Sequence, residues 1–116
     1  MFNKLHGARK AVQESRVAVV NQLAVAADAM ELGYDVENEL QAILADLLEI
    51  TTPNHYTGTH PPQRSYEQMV EGLELFAFAV ESSRFKCRIY YKFALTKDVL
   101  WLVSLHASRL QKEGTS

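Results

Sequence analysis

One stretch of the chain alternates basic and apolar residues, and this alternation is its strongest chemical signal. The even-numbered positions hold four cations and a tyrosine: Arg84, Lys86, Arg88, Tyr90 and Lys92. The odd-numbered positions hold Phe85, Cys87, Ile89, Tyr91 and Phe93. Successive side chains of a β-strand point to opposite faces of the sheet. The pattern therefore predicts a strand over 84–94 with one basic face and one apolar face.

The basic face has the chemistry of a nucleic-acid contact. Cations two residues apart on a strand are separated by about 7 Å, which is comparable to the spacing of successive phosphates in a nucleic-acid strand. An aromatic side chain among the cations can stack on an exposed base. We therefore predict that Arg84, Lys86, Tyr90 and Lys92 bind nucleic acid.

The charge distribution leaves a second interpretation of this face open. Residues 1–63 carry four Lys/Arg and eight Asp/Glu, a net charge of −4, and residues 64–116 carry eight and six, a net charge of +2. The cations of the strand can therefore pair with acids of the first half. The overall charge of −2 and a pI near 6.1 exclude a strongly basic nucleic-acid-binding domain, but not a local basic face.

Three residues have the chemistry to act on a bound phosphodiester, namely Arg88, His106 and Arg109. A histidine can transfer a proton near neutral pH, and an arginine can stabilise charge that develops on a phosphate. If residues 94 and 100 face each other in a hairpin, Arg88 lies opposite His106. A shift of one residue places Lys86 opposite Arg109 instead. A purely structural role for His106 is the alternative.

Sequence motifs for metals and cofactors are absent, and we expect neither. His55 and His60 supply two ligands, whereas a zinc site needs three or four, and there is no CxxC or HExxH motif. Glycine-rich phosphate loops and nucleophile elbows are also missing. Cys87 is the only cysteine, so no internal disulfide can form, which is typical of a reducing compartment.

The elements around these residues predict an α+β domain over 1–116. Apolar spacing predicts a helical hairpin over about 4–50, with a first helix over 4–30 that ends at Gly33 and a second helix that begins at Asp35. Residues 51–64 form a loop. Residues 73–109 predict an antiparallel meander with strands over 73–81, 84–94 and 99–106, and with Trp101 in the core. The hairpin would pack on this three- or four-stranded antiparallel sheet.

The C-terminal third resembles the strand meander of the RelE/ParE superfamily of type II toxins. The resemblance rests on Arg88-Ile-Tyr-Tyr, on the charged turn 96–98 and on the segment Val103-Ser-Leu-His-Ala-Ser-Arg109, with Lys112 in a basic tail. It covers about 35–40 of the 116 residues. The first strand that this family has ahead of its helical hairpin is not evident in the sequence.

The resemblance implies a function. Family members with ribonuclease activity cut mRNA on the ribosome without a metal, using Arg, Lys, Tyr or His side chains of the sheet. It implies phosphate contact by Arg88, transition-state stabilisation by Arg109, and acid, base or orienting roles for Lys86, Tyr90 and His106. It also implies RNA or the ribosome as a partner, and an acidic antitoxin-like protein over the basic face. Other members poison DNA gyrase and need no catalytic residue.

The leading interpretation is therefore a toxin-like RNA-binding protein, with metal-independent endoribonuclease activity on mRNA left open. The alternative is a non-enzymatic binding or assembly module, of a kind found in mobile elements, that forms a homodimer or docks a partner through the helical hairpin. A third is a small-molecule site between the sheet and the 51–64 loop. No apolar run is long enough to span a bilayer and no secretory signal is present, so we expect no membrane contact and a cytoplasmic location.

Overall fold

A computed structural model describes residues 2–96 and 98–108 of the chain. The helices and strands follow in the order α1 (Phe2–Gln13), β1 (Val17–Val19), α2 (Gln22–Leu32), α3 (Val36–Ile50), β2 (Leu75–Ser82), β3 (Cys87–Leu95) and β4 (Leu100–Ala107). Single 3-10 turns lie at Pro53–His55 and Gln68–Val70. The predicted α+β class is confirmed, with the helices in the first half and the strand meander in the second.

The sheet has four strands in the order β1-β4-β3-β2. The three strands of the meander pair antiparallel as predicted, and β1 adds a parallel strand beside β4, so the sheet is mixed. All three helices pack on one side of the sheet, here called the inner face, against fully buried residues such as Ile89, Tyr91 and Phe93. The opposite side is the outer face, and it carries the alternate residues of each strand.

The prediction of one helix over 4–30 is wrong, because β1 interrupts it. Ser15 follows α1 with a positive φ of 61°, and the next residues form the short strand Val17–Val19. β-Branched valines favour extended backbone over helix. The chain becomes helical again after Asn21, whose side chain accepts a hydrogen bond from the Ala24 N–H at 3.0 Å. The apolar spacing continued through this segment because β1 packs against the same core as the helices.

The other predicted helix boundaries are confirmed. Gly33 ends α2 with a φ of 82°, a left-handed conformation that glycine adopts without steric cost. Asp35 caps α3 by accepting a hydrogen bond from the Glu37 N–H at 3.0 Å.

The loop after α3 protects the free edge of β2. Tyr56 bridges to Phe78, and Arg64 bridges to Glu74, so the loop runs alongside the strand. The Thr57 N–H donates to the Ala77 carbonyl at 2.8 Å. Covering an edge in this way satisfies backbone groups that would otherwise pair with another chain. Within the described ranges, no helix has the length and apolar character needed to cross a membrane.

Candidate nucleic-acid interface

The basic strand starts three residues later than predicted. β3 begins at Cys87, which pairs with Ser82 of β2, and residues 83–86 form the turn between the two strands. The Ser82 hydroxyl accepts a hydrogen bond from the Phe85 N–H at 3.2 Å, and Lys86 has a positive φ of 58°. The prediction that all five even-numbered residues share a strand face is therefore wrong for Arg84 and Lys86.

Arg84 contacts the helical half of the protein. Its guanidinium group lies 3.1 Å from Asp46 and 3.3 Å from Glu39, both on α3. This contact follows the alternative interpretation, in which cations of the second half pair with acids of the first. Arg84 is thus directed toward α3 and away from the outer face.

Arg88, Tyr90 and Lys92 keep the predicted arrangement on one face of β3. They alternate with the buried residues of the inner face, and Tyr90 and Lys92 are half-buried whereas Arg88 is exposed. Ala79 and Ala77 of β2 lie opposite Tyr90 and Lys92, so small side chains flank the long ones on that side. Both alanines are buried, and Arg88, Tyr90 and Lys92 share this face of the sheet.

The register that sets residue 94 opposite residue 100 is wrong, and the register shifted by one holds only beside the turn, where Leu95 lies opposite Leu100 and Phe93 opposite Leu102. His106 lies opposite Tyr90, and Lys92 lies opposite Ser104. Arg88 is level with Ser108, whose N–H donates to the Arg88 carbonyl at 2.8 Å. Lys86 is in the turn and takes no part in this ladder, and Arg109 lies outside the described residues.

The register shifts because of a β-bulge. Lys92 pairs with Ser104 but the next residue, Phe93, pairs with Leu102, which leaves Val103 as an extra residue on β4. Trp101, which was expected in the core, lies between the bulge and the turn, opposite Ala94 on the outer face. There its indole N–H donates to Thr96 Oγ1 at 3.3 Å.

The Tyr90 and His106 rings stack across the two strands. Their centroids are 5.1 Å apart and their planes are inclined by 24°. His106 Nδ1 lies 2.8 Å from the Ala107 carbonyl oxygen, which can only accept, so Nδ1 carries the proton when the ring is neutral. Nε2 is then the basic nitrogen, and it has no hydrogen-bond partner among the described residues. Burial raises the pKa of Tyr90 above its ordinary value of 10, so its hydroxyl stays protonated at neutral pH.

The cations beside this ring pair differ in their own partners. Arg88 Nε lies 3.5 Å from a Glu81 carboxylate oxygen, and both side chains are substantially exposed, so the pair is weak. Lys92 forms no ion pair with a carboxylate of the described residues. The outer face therefore offers one available ammonium group and one weakly held guanidinium group, on either side of a stacked aromatic pair.

Sequence reasoning missed two residues of this surface, Ser104 and Glu81. Ser104 could have been found only with the correct register, since it lies in an apolar run. Glu81 could have been found from the β2–β3 turn, because a four-residue turn over 83–86 places Glu81 opposite Arg88.

The loop histidines have structural contacts. His55 Nδ1 accepts a hydrogen bond from the Thr52 N–H at 2.9 Å, which closes the 3-10 turn. The His60 ring packs on Tyr56 with centroids 4.7 Å apart. In the part of the chain that the structure describes, no group of three or more His, Cys, Asp or Glu side chains is arranged to hold a metal ion.

The chain matches no protein-family model and no curated protein. The resemblance to the RelE/ParE superfamily therefore stays a hypothesis.

Proposed function

We propose that the outer face of the sheet binds single-stranded RNA through Arg88, Tyr90, Lys92 and His106. The observation that carries this proposal is the stacked Tyr90–His106 pair, with a cation two residues away on either side of Tyr90. An exposed base can stack on such a pair, and base–aromatic stacking tolerates any sequence. Arg88 and Lys92 are four residues apart, about 13 Å along the strand, so they can contact phosphates on both sides of the stacked nucleotide.

The stacked ring pair favours single strands over duplexes. In a duplex the bases stack on one another and their flat faces are inaccessible, whereas single-stranded RNA can splay a base out onto a protein ring. The small number of cations also favours a short contact, because the chain as a whole carries a net charge of −2. Binding would therefore involve few phosphates and depend strongly on the ring pair.

The element order adds support for a toxin-like protein. The resemblance implied a strand ahead of a helical hairpin, and β1 supplies a strand directly before α2 and α3. The strand meander then follows, with the basic face on its middle strand β3. An acidic partner segment, which the resemblance also implied, would compete with RNA for Arg88 and Lys92.

Metal-independent cleavage of the bound RNA is a second candidate function, favoured by His106 Nε2, which has no hydrogen-bond partner among residues 2–96 and 98–108. Nε2 would take the proton of a ribose 2′-hydroxyl, whose oxygen attacks the adjacent phosphorus. The bond from phosphorus to the 5′-oxygen breaks, and this oxygen takes a proton from the Tyr90 hydroxyl, which regains one from the charged His106. Arg88 and Lys92 would stabilise the charge on the pentavalent phosphorus. The products are a 2′,3′-cyclic phosphate and a 5′-hydroxyl.

Two substitutions separate binding from cleavage. Tyr90→Ala removes the stacking surface, so we expect it to weaken binding of a fluorescently labelled single-stranded RNA by about 1–3 kcal/mol in an anisotropy titration. His106→Phe keeps a ring beside Tyr90 but cannot transfer a proton. We expect this variant to bind RNA nearly as well as the wild type.

Cleavage is measured on the same RNA in the presence of EDTA, by detecting the cyclic phosphate end. The wild type should form this end and His106→Phe should not. Unchanged binding by Tyr90→Ala would contradict the proposed interface. Equal cleavage by the wild type and His106→Phe, or none by either, would remove the enzymatic candidate and leave binding alone.

A further inference from the structure

Helix α2 lacks the polar outward face that a surface helix normally has. It packs on the sheet through Val25 and Ala29, and on the opposite side it exposes an apolar stripe of Leu23, Ala26, Ala27 and Met30. The exposed fractions of Leu23 and Met30 are 86% and 83%. These positions follow the spacing i, i+3, i+4, i+7 of one helix face. A contiguous apolar stripe in contact with water usually marks an interaction surface.

Helix α3 shows the contrast within the same protein. Its buried side carries leucines and an isoleucine, while its exposed positions include Glu37, Gln41 and Glu49. The apolar surface of α2 also continues beyond the helix. Leu23 lines a groove of about 500 Å³ together with Met69, which is 60% exposed.

We propose that the α2 stripe is the interface of a homodimer in which two α2 helices pack antiparallel. The centre of the stripe lies between Ala26 and Ala27, where small side chains let two helices approach closely. A twofold axis at this point sets Leu23 against Met30 of the partner subunit, and the same contact is repeated on the other side. The stripe is thus complementary to itself, as a twofold interface requires.

The charges of α2 match this antiparallel arrangement. Its charged residues are Asp28 and Glu31, with no acid in the first turn and no base in the last. Acidic side chains near the C-terminal end of a helix are unfavourable, because the helix dipole places partial negative charge at that end. In the antiparallel pair Glu31 lies level with Gln22 of the partner subunit, beside the positive end of the partner's helix. The two Glu31 side chains are then nine residues apart, about 13 Å along the axis, whereas a parallel pair would place them together.

The dimer is independent of the proposed RNA contact. α2 lies on the inner side of the sheet, so pairing through its stripe leaves Arg88, Tyr90 and Lys92 on the outer face uncovered. One helix face is a small interface, and small interfaces are weak. We expect a dissociation constant on the order of micromolar.

Sedimentation equilibrium from about 1 µM to 1 mM protein tests the proposal. The wild type should change from the 13.1 kDa monomer toward twice that mass. Leu23→Glu and Met30→Lys should each remain monomeric, because each places an unpaired charge in the stripe. Phe2→Glu is the matched control, since Phe2 is 74% exposed on α1, and it should dimerise as the wild type does. Circular dichroism checks that each variant is folded.

Mixing the two monomeric variants tests the direction of packing. In an antiparallel pair the introduced carboxylate meets the introduced ammonium group, and the other contact keeps Met30 against Leu23, so the mixture should dimerise. A wild type that stays monomeric at every concentration would overturn the proposal, and so would dimerisation by either single variant. Failure of the mixture, when the wild type dimerises and the single variants do not, would overturn the antiparallel arrangement.

Discussion

Tyr90 and Tyr91 are neighbours in the sequence but have different environments, because the strand directs them to opposite faces. Tyr91 is fully buried on the inner face, where its hydroxyl donates to Thr51 Oγ1 at 2.6 Å. The Thr51 hydroxyl in turn donates to the Leu47 carbonyl at 2.6 Å and so connects β3 to the end of α3. Tyr90 faces outward and stacks on His106. One tyrosine therefore supports the fold, and the other is available to a ligand.

The buried hydroxyl chain gives a prediction about stability. Thr51→Val keeps the side-chain shape but leaves the Tyr91 hydroxyl buried without an acceptor, which we expect to cost about 1–3 kcal/mol in urea unfolding. Tyr91→Phe added to Thr51→Val removes the unsatisfied hydroxyl, so the double variant should be more stable than Thr51→Val alone. A double variant less stable than Thr51→Val would show that the cost is not one of unsatisfied polarity.

Glu81 gives a prediction about binding. Its carboxylate competes with RNA phosphate for Arg88, and both side chains are exposed. Glu81→Gln should therefore tighten RNA binding at low salt, by the two- to fivefold roughly expected for an exposed ion pair. The anisotropy titration against the wild type measures this gain. Weaker binding would indicate that Glu81 positions Arg88 productively.

At the scale of elements, the helix ends are set by glycine and side-chain caps. Gly33→Ala would force alanine to a φ of 82°, and although nothing lies within 4 Å of the added methyl group, we expect a loss of about 1–2 kcal/mol from the backbone alone. Gly7→Ala is the matched control within α1. There the added methyl meets Leu95 Cδ1 at an ordinary 3.8 Å, so the change should stabilise by about 0.5–1 kcal/mol. Urea unfolding measures the free energy of unfolding of both variants. Equal changes in the two variants would contradict the requirement for glycine at the end of α2.

The sequence predicts a helix or strand well where a single local pattern, such as a cap or an alternation, determines it. Gly33 and Asp35 gave the boundary between α2 and α3 because caps are local, and the alternation from Cys87 to Phe93 gave the two faces of β3. β1 was missed because its valines satisfy helical spacing and strand preference equally. Arg84 was misplaced because alternation continued into a turn that the Ser82 hydroxyl stabilises.

In the candidate site, the residues of β3 could be predicted from the sequence and those of β4 could not. Arg88, Tyr90 and Lys92 follow from their own strand. Their neighbours on β4 depend on the bulge at Val103, and nothing in the local sequence marks it, since every residue from Val99 to Val103 is apolar. The stacking of His106 on Tyr90 therefore depends on how β3 and β4 pair in the folded protein, which the local sequence does not determine.

At the scale of the whole molecule, buried tyrosines make the stability of the fold depend on pH in the alkaline range. Burial, and secondarily the nearby Asp28 charge, raises the pKa of Tyr34 to about 12, and burial also raises that of Tyr91. A pKa that is higher in the folded state means that the associated stability is fully present below pH 10 and is lost as the pH rises from 10 through 12. We expect the free energy of unfolding to fall by up to about 1.4 kcal/mol per pH unit for each tyrosine over this range.

Urea unfolding at pH 8 and pH 11 measures this loss. Tyr34→Phe should reduce the difference between the two pH values, whereas Tyr66→Phe should not, because Tyr66 is 90% exposed. The Tyr34 hydroxyl is buried and has no hydrogen-bond partner in the described part of the chain, so its removal should cost little stability at pH 8. An unchanged pH dependence in Tyr34→Phe would contradict this assignment.

The molecule separates its surfaces by side of the sheet. The helices cover the inner face and present the α2 stripe, while the outer face presents Tyr90, His106 and the adjacent cations. Arg84 illustrates the separation, because it lies four residues from Arg88 and yet pairs with α3. Arg84 on the helical side and Lys92 on the outer face carry the same charge at different positions. Removing each cation in turn therefore shows which side of the sheet binds RNA.

The salt dependence of RNA binding uses this comparison and tests the central claim most directly. Two phosphate contacts on single-stranded RNA predict a slope of about −1.4 for the logarithm of the binding constant against that of the salt concentration. Lys92→Ala should reduce the magnitude of the slope by about 0.7, and Arg84→Ala should leave it unchanged. Equal slopes in the wild type and Lys92→Ala, or a reduced slope in Arg84→Ala alone, would contradict RNA binding by the outer face.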